Sequence, residues 1–132
     1  MRYLLDTNIC IYFMKGLYGL NEKIKDVDVK NCFISEITLA ELKFGVENSV
    51  KKKKNAKVLE LFLSDIKILP IFNSLDYYAK EKARLKKSGE IIDDFDLLIG
   101  VSSVVNKMLL VTNNQKHFLR IKNIKIEDWT KN

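Results

Sequence analysis

Acidic residues in three widely separated segments are the side chains with the clearest potential for chemistry. Asp6 directly follows the apolar run YLL at 3–5, and Glu41 lies within an apolar helical pattern. Four more carboxylates precede the apolar stretch LLIGVSSVV, namely Glu90, Asp93, Asp94 and Asp96. Oxygen ligands of this kind suit Mg²⁺ or Mn²⁺, hard ions that orient phosphates and activate water.

Each acid also has an ordinary structural explanation. Asp6 and Asp96 each stand ahead of a helical pattern, where an Asp commonly caps the helix. Glu41 would complete a capping box with Thr38, although a helix that begins at Ser35 weakens that alternative. Acids from three distant segments favour a joint site more strongly than any one of them does alone.

The helical position of Glu41 adds a further argument. At 100° per residue it lies beside Ile37 and Phe44, so the pattern predicts a carboxylate carried toward the interior. An ionised carboxylate is costly to bury unless a cation or a paired charge is present. The position therefore indicates a cation.

Several other chemistries are disfavoured. His117 is the only histidine, which excludes multi-histidine zinc sites and makes a histidine general base unlikely. The sequence contains no P-loop, GxGxxG or GxSxG motif. Cys10 and Cys32 lie in apolar runs without CxxC spacing, so we expect buried free thiols.

The order of apolar patterns predicts an α/β fold in a single domain, residues 1–132. Short apolar runs predict strands, and a period near 3.6 predicts the longer helical segments between them. The strands are expected at 3–5, 32–34, 66–69 and 108–111, and the helices at 9–15, 36–49, 55–65, 74–88 and 95–106. This alternation is typical of a parallel sheet that binds ligands at the carboxyl ends of its strands. Asp6 and the segment Thr112-Asn113-Asn114 follow predicted strands at that edge, although the latter also suits a simple turn.

Composition indicates a compact globular protein with a basic surface. Of the 132 residues, 47% are hydrophobic and 30% charged, and the net charge is +6. A basic balance favours polyanionic partners, but 20 of the 23 basic residues are Lys, so a general lysine bias would also explain it. The run Lys51 to Lys54 is interpreted as a solvated loop between helices, with an RNA-contacting patch as the alternative.

The sequence also bears on localisation. Asp6 interrupts the N-terminal segment too early for a secretory signal, and no stretch approaches the roughly 20 apolar residues of a membrane span. We expect a cytoplasmic protein without a membrane partner.

Four motifs taken together resemble those of PIN-domain ribonucleases, in order and in spacing. They are LLDTN at 4–8, ISEITLAEL at 34–42, DDFDLLIG at 93–100 and LLVTNNQKHF at 109–118. The chain length and the IEDW sequence at 126–129 further resemble VapC-type toxins of bacterial toxin-antitoxin pairs.

The resemblance implies an α/β/α sandwich with a central, mostly parallel sheet, and divalent-metal hydrolysis of RNA by Mg²⁺ or Mn²⁺. Asp6, Glu41 and Asp96 align with the catalytic, metal-binding acids of the family. Asn114 stands where many relatives have an Asp, and Asp94 matches an acid found in part of the family that could compensate as a ligand. Polar neighbours are expected to orient the carboxylates or contact phosphate: Asn8, Ser35, Thr38, Thr112 and Asn114.

The resemblance also implies a homodimer and a cognate antitoxin that blocks the active site. Apolar side chains near the acids would either line the groove for that antitoxin or pack in the core; they are Ile11, Tyr12, Phe13 and Phe44. Two other functions remain alternatives, a non-catalytic RNA-binding module and a phosphatase that forms a phosphoaspartate. The phosphatase pattern requires a second Asp where this chain has Asn8.

Overall fold

The computed structural model describes residues 1–131. Its five strands are β1 (Tyr3–Leu5), β2 (Cys32–Ser35), β3 (Lys67–Leu69), β4 (Leu109–Val111) and β5 (Ile126–Glu127). Its helices are α1 (Thr7–Met14), α2 (Leu20–Val27), α3 (Glu36–Glu47), α4 (Lys52–Leu63), α5 (Leu75–Ser88), α6 (Asp94–Val105) and α7 (Gln115–Phe118). Two 3-10 turns cover Val29–Asn31 and Phe72–Ser74.

The strands form one sheet in the order β3-β2-β1-β4-β5, and every pairing is parallel. The α/β fold with a central, mostly parallel sheet is therefore confirmed. The chain builds outward from β1 through β2 to β3 and then crosses to β4 on the other side of β1. This reversal makes the carboxyl edge between β1 and β4 the switch point, where open parallel sheets bind ligands.

The central strands of the sheet, β1 and β4, are covered on both faces, which explains why they are continuous apolar runs. Leu5 and Val111 point into a core formed with α1 to α4, whereas Leu4 and Leu110 point into a second core formed with α5, α6 and α7. The result is the three-layer sandwich that the sequence predicts. Cys10 and Cys32 are buried free thiols, as expected.

Three elements were not predicted from the sequence. Helix α2 buries only Leu20 and Ile24, and two apolar positions among charged residues are too few to predict a helix. Helix α7 and strand β5 are only four and two residues long. Behind β5, Trp129 is buried against Tyr3 with ring centroids 5.2 Å apart, which ties the IEDW segment to the core.

The interpretation of Lys51 to Lys54 as a loop is wrong for most of the run. Helix α4 begins at Lys52, three residues before the predicted start, so Lys52, Lys53 and Lys54 form its first turn. No helix within residues 1–131 is long and apolar enough to cross a membrane.

The packing of α6 predicts the effect of one substitution. A Cβ atom added at Gly100 would collide with Ile121 and lie 3.2 Å from Phe118, so Gly100→Ala should destabilise the fold by about 1–3 kcal/mol. Gly45 lies in α3 with open space around it, so Gly45→Ala is the matched control and should raise stability by about 0.5–1 kcal/mol. Urea unfolding of both variants measures the difference, and equal effects would contradict the packing of α6 against this segment.

Candidate active site

Asp6 lies at the switch point of the sheet and is 5% exposed. Its backbone N–H donates to the Val111 carbonyl at 3.0 Å, which joins the end of β1 to the end of β4. Its carboxylate accepts hydrogen bonds from the Thr7 N–H and the Thr112 hydroxyl, each at 2.7 Å. Asp6 is thus the N-cap of α1 as well as part of the acidic site.

Burial dominates the electrostatics of Asp6. Desolvation raises the pKa of its carboxyl from 3.8 to about 6, although the hydrogen bonds from Thr112 and Thr7 oppose this rise. The charges of Asp96 and Glu41 are the smallest contributions to this rise. Both acids therefore lie close enough to Asp6 for their charges to act on it.

Glu41 is carried to the site by α3. That helix begins at Glu36, and the Ser35 hydroxyl caps it by accepting from the Ile37 N–H at 3.0 Å, so the capping-box alternative for Glu41 is wrong. The Thr7 hydroxyl donates to Glu41 Oε1 at 2.7 Å. Glu41 is half-buried. Phe44, which was predicted beside Glu41 on the inner face of the helix, is 68% exposed, so this side of α3 lies at the edge of the interior.

Asp96 comes from the first turn of α6. The N-cap of this helix is Asp93, which accepts from the Phe95 N–H, so Asp96 is not the cap. The Asp96 side chain is partly buried, and desolvation raises its pKa while the neighbouring His117 lowers it.

His117 is a neighbour of the site that the sequence analysis used only to exclude zinc. Its Nε2 lies 3.2 Å from Asp96 Oδ2. This buried nitrogen has no well-aligned hydrogen-bond partner among residues 1–131, so the contact with Asp96 is one of proximity. Thr7 was also missed, although its position between Asp6 and Asn8 in the LDTN motif was a usable signal.

Asp94 lies apart from these acids. It is exposed, and its Oδ1 accepts from Lys82 Nζ and from the Tyr78 hydroxyl, each at 2.8 Å. These partners lower the pKa of Asp94. Two residues along a helix turn a side chain by about 200°, which is why Asp94 and Asp96 face different surroundings. The structure does not bring Asp94 into the acidic site.

The remaining predicted polar neighbours divide into three groups. Thr112 contacts Asp6 directly and also accepts from the Asn114 N–H at 3.0 Å. Thr38 lies 3.1 Å from the Thr7 hydroxyl, hydroxyl to hydroxyl, and so supports Glu41 through Thr7. Ser35 is buried in its capping role, while Asn8 and Asn114 are exposed at the first turn of α1 and the start of α7.

The donor chemistry fits a hard divalent cation. The carboxylates of Glu41 and Asp96 lie near the buried carboxylate of Asp6, and this concentration of negative charge favours a counter-cation. Within the described part of the chain, however, no three His, Cys, Asp or Glu side chains are already arranged to hold a metal ion. The acids would therefore have to move closer together around an ion.

Comparison with known proteins agrees with this fold. The PIN domain family profile matches residues 3–124. The ribonuclease VapC2 of Rickettsia felis is 39% identical over 99% of this chain and 100% of its own length. The tRNA(fMet)-specific endonuclease VapC of Salmonella typhimurium is 31% identical, with 98% of each chain covered.

A solved structure gives the same result. The crystal structure of VapBC2 from Rickettsia felis, bound to a DNA fragment from its promoter, superimposes with a TM-score of 0.91 at 38% identity, covering 98% of this chain and 99% of that one. The chain belongs to the PIN domain family, in its VapC group. Membership of this family favours the interpretation as a nuclease over that as a phosphatase that forms a phosphoaspartate.

Burial of Asp6 leads to a stability prediction. Its pKa is higher in the folded than in the unfolded chain, so the folded state is favoured at low pH and loses up to about 3 kcal/mol as pH rises through about 6. Asp6→Asn removes this penalty and should raise the melting temperature of the metal-free protein near pH 7.5 but not near pH 4.

Thermal unfolding in EDTA at the two pH values measures the effect. Asp94→Asn is the control, because it removes an exposed ion pair of small expected value. An Asp6→Asn variant no more stable than wild type near pH 7.5 would show that the buried charge carries no penalty.

Proposed function

We propose that this chain is the toxin of a toxin-antitoxin pair, an endoribonuclease that requires Mg²⁺ or Mn²⁺ and is inhibited by its antitoxin. The observation that carries the proposal is the convergence of Asp6, Glu41 and Asp96 at the switch point of the sheet. Relatives named VapC ribonucleases that match over nearly the whole chain support it.

The metal would be held by Asp6, Glu41 and Asp96. When bound there, Mg²⁺ or Mn²⁺ would supply Lewis-acid stabilisation of the phosphate and acidify the attacking water. Hydrolysis adds that water across the phosphodiester, so that a P–O bond to one ribose breaks and the products carry a phosphate end and a hydroxyl end. Asp94 is outside this set because Lys82 already neutralises it.

The neighbouring side chains hold the acids in place. Thr112 donates to one oxygen of Asp6 and the Thr7 N–H to the other, which fixes the plane of that carboxylate. The single proton of the Thr7 hydroxyl goes to Glu41, so Thr38 supplies the proton between the two hydroxyls. His117 lies 3.2 Å from Oδ2 of Asp96, so the other oxygen of that carboxylate would be the one to contact the ion.

Transfer RNA is the first substrate to test. The relative from Salmonella typhimurium is named as specific for tRNA(fMet), and its similarity extends along the entire chain. The net charge of +6 suits any RNA, so it does not distinguish between RNA classes.

A cavity of about 470 Å³ between α1, α3 and α4, with an apolar floor and charged side chains at its sides, suits the antitoxin. Ile11 and Leu42 line it, and Glu41 stands at its wall. Of the other side chains predicted for the groove, Phe13 packs on Phe62 with ring centroids 5.5 Å apart, and Tyr12 accepts from Asn113. The R. felis relative was crystallised as a VapBC2 complex, which supports a protein partner here. The homodimer stays a prediction.

RNA cleavage tests the metal and the ranking of its ligands. Cleavage should stop in excess EDTA and return with Mg²⁺ or Mn²⁺, and Asp6→Asn or Asp96→Asn should lower the rate by about 100-fold or more. Asp94→Asn and Asn114→Ala should cost less than about tenfold, because neither change removes charge from the converging acids. Asn114→Asp should raise apparent metal affinity by adding a charge.

Circular dichroism must show that each variant is folded. Full cleavage in EDTA would contradict the metal mechanism. RNA binding without cleavage under any metal would favour the non-catalytic alternative, and a loss for Asp94→Asn as large as that for Asp96→Asn would make Asp94 a ligand.

Growth tests the toxin assignment. Induction of the wild-type chain should stop bacterial growth, and co-expression of the antitoxin encoded by the neighbouring reading frame should restore it. Asp96→Asn serves as the inactive control at equal expression. Normal growth with abundant soluble wild-type protein would contradict a toxin.

A further inference from the structure

The lysine run at the start of α4 is placed where it opposes folding. Lys51 is the N-cap and makes no side-chain capping bond, and Lys52, Lys53 and Lys54 occupy the first turn. A helix N-terminus carries partial positive charge, so acids are stabilising there and lysines are not. The first turn of α4 has no acidic residue.

Neighbouring charges do little to offset this cost. Within residues 1–131, the ion pair between Lys52 Nζ and Glu47 Oε2 at 3.1 Å is the one that involves this run. Lys57 follows Lys53 by four residues and Lys54 by three, so like charges meet on one side of the helix. Neither helix capping nor ion pairing accounts for this concentration of charge.

The run is adjacent to the active site. Lys54 and Lys15, at the end of α1, line the same cavity as Glu41. Lys51, Lys52 and Lys53 are exposed and extend the positive surface outward from that cavity. Positive charge therefore begins beside one of the catalytic acids and continues along the first turn of α4.

We propose that Lys51 to Lys54, with Lys57 and Lys15, form a basic track that holds the RNA backbone as it leads to the acidic site. This inference rests on the proposed ribonuclease function and adds where the substrate lies. The acids repel phosphates, so an adjacent positive track supplies the attraction that the site itself lacks. Lysine side chains neutralise phosphates without reading bases, so the track positions RNA but does not select its sequence.

Two double variants separate this role from general charge. Lys53→Ala/Lys54→Ala removes two positive charges from the track. Lys86→Ala/Lys87→Ala removes two from the last turn of α5, which packs on the opposite face of the sheet. Both are made in the Asp96→Asn background, and binding of a short fluorescein-labelled single-stranded RNA is measured between about 50 and 200 mM salt.

The track variant should bind RNA about tenfold more weakly near 100 mM salt, and its plot of log affinity against log salt should be shallower by about 0.7 per lysine removed. Its melting temperature should rise by about 2–5 °C, since the removed charges oppose the helix dipole. The α5 variant should bind RNA within twofold of its parent. Weaker binding by a more stable protein cannot be explained by partial unfolding.

Three results would overturn the inference. If the Asp96→Asn chain binds no RNA, the track is wrong, and the proposed function fails with it only when the wild-type chain also cleaves no RNA with Mg²⁺ or Mn²⁺. If the Asp96→Asn chain binds RNA and the two double variants bind equally well, only the track is wrong. If the track variant keeps its RNA affinity but loses affinity for a poly-glutamate peptide, the lysines bind an acidic protein segment instead.

Discussion

Burial of the Asp6 carboxylate between the ends of β1 and β4 is the constraint on which the rest of the site depends. A charge removed from water must be compensated, and here the Thr112 hydroxyl and the Thr7 N–H supply two hydrogen bonds. These hydrogen bonds do not fully offset the cost of burying the charge, and the pKa of Asp6 is therefore raised to about 6. The fold therefore holds an acid whose charge is only fully satisfied by a cation.

The other two acids add further negative charge near Asp6. Helices α3 and α6 bring Glu41 and Asp96 toward Asp6, although like charges repel. Glu41 accepts a hydrogen bond from Thr7, and Asp96 lies 3.2 Å from His117. The unfavourable charge is tolerated because the two apolar cores on either face of the sheet stabilise the frame around it. Stability is thus given up at the acidic site, where the proposed chemistry requires the charges.

A second unfavourable placement lies a short distance away, with the opposite sign. Lysines at the start of α4 oppose the dipole of their own helix, as the acids at the sheet edge oppose one another. One member of each group, Glu41 and Lys54, lines the same cavity. A polyanion bound by the lysines would offset their positive charge, and a cation bound by the acids would offset the negative charge there. This complementarity connects the surface of α4 with the chemistry at β1 and β4.

The sequence by itself determined the architecture and the three central acids. Strands buried on both faces must be apolar throughout, so the runs that became β1, β2 and β4 were visible without a structure. Asp6 could be recognised because it directly follows such a run, and Asp96 because a largely apolar stretch directly follows it. These are local patterns, set by residues close together in the chain.

Tertiary structure decided which neighbours those acids have. Asp94 and Asp96 are two positions apart and equally acidic, but the helix turns one toward Lys82 and the other toward His117. The contact of Thr7 with Glu41 spans 34 residues. Spacing along a chain fixes the direction of a side chain relative to its own helix only. Which side chains meet depends on how the helices pack against the sheet, and that packing is set by the whole core at once.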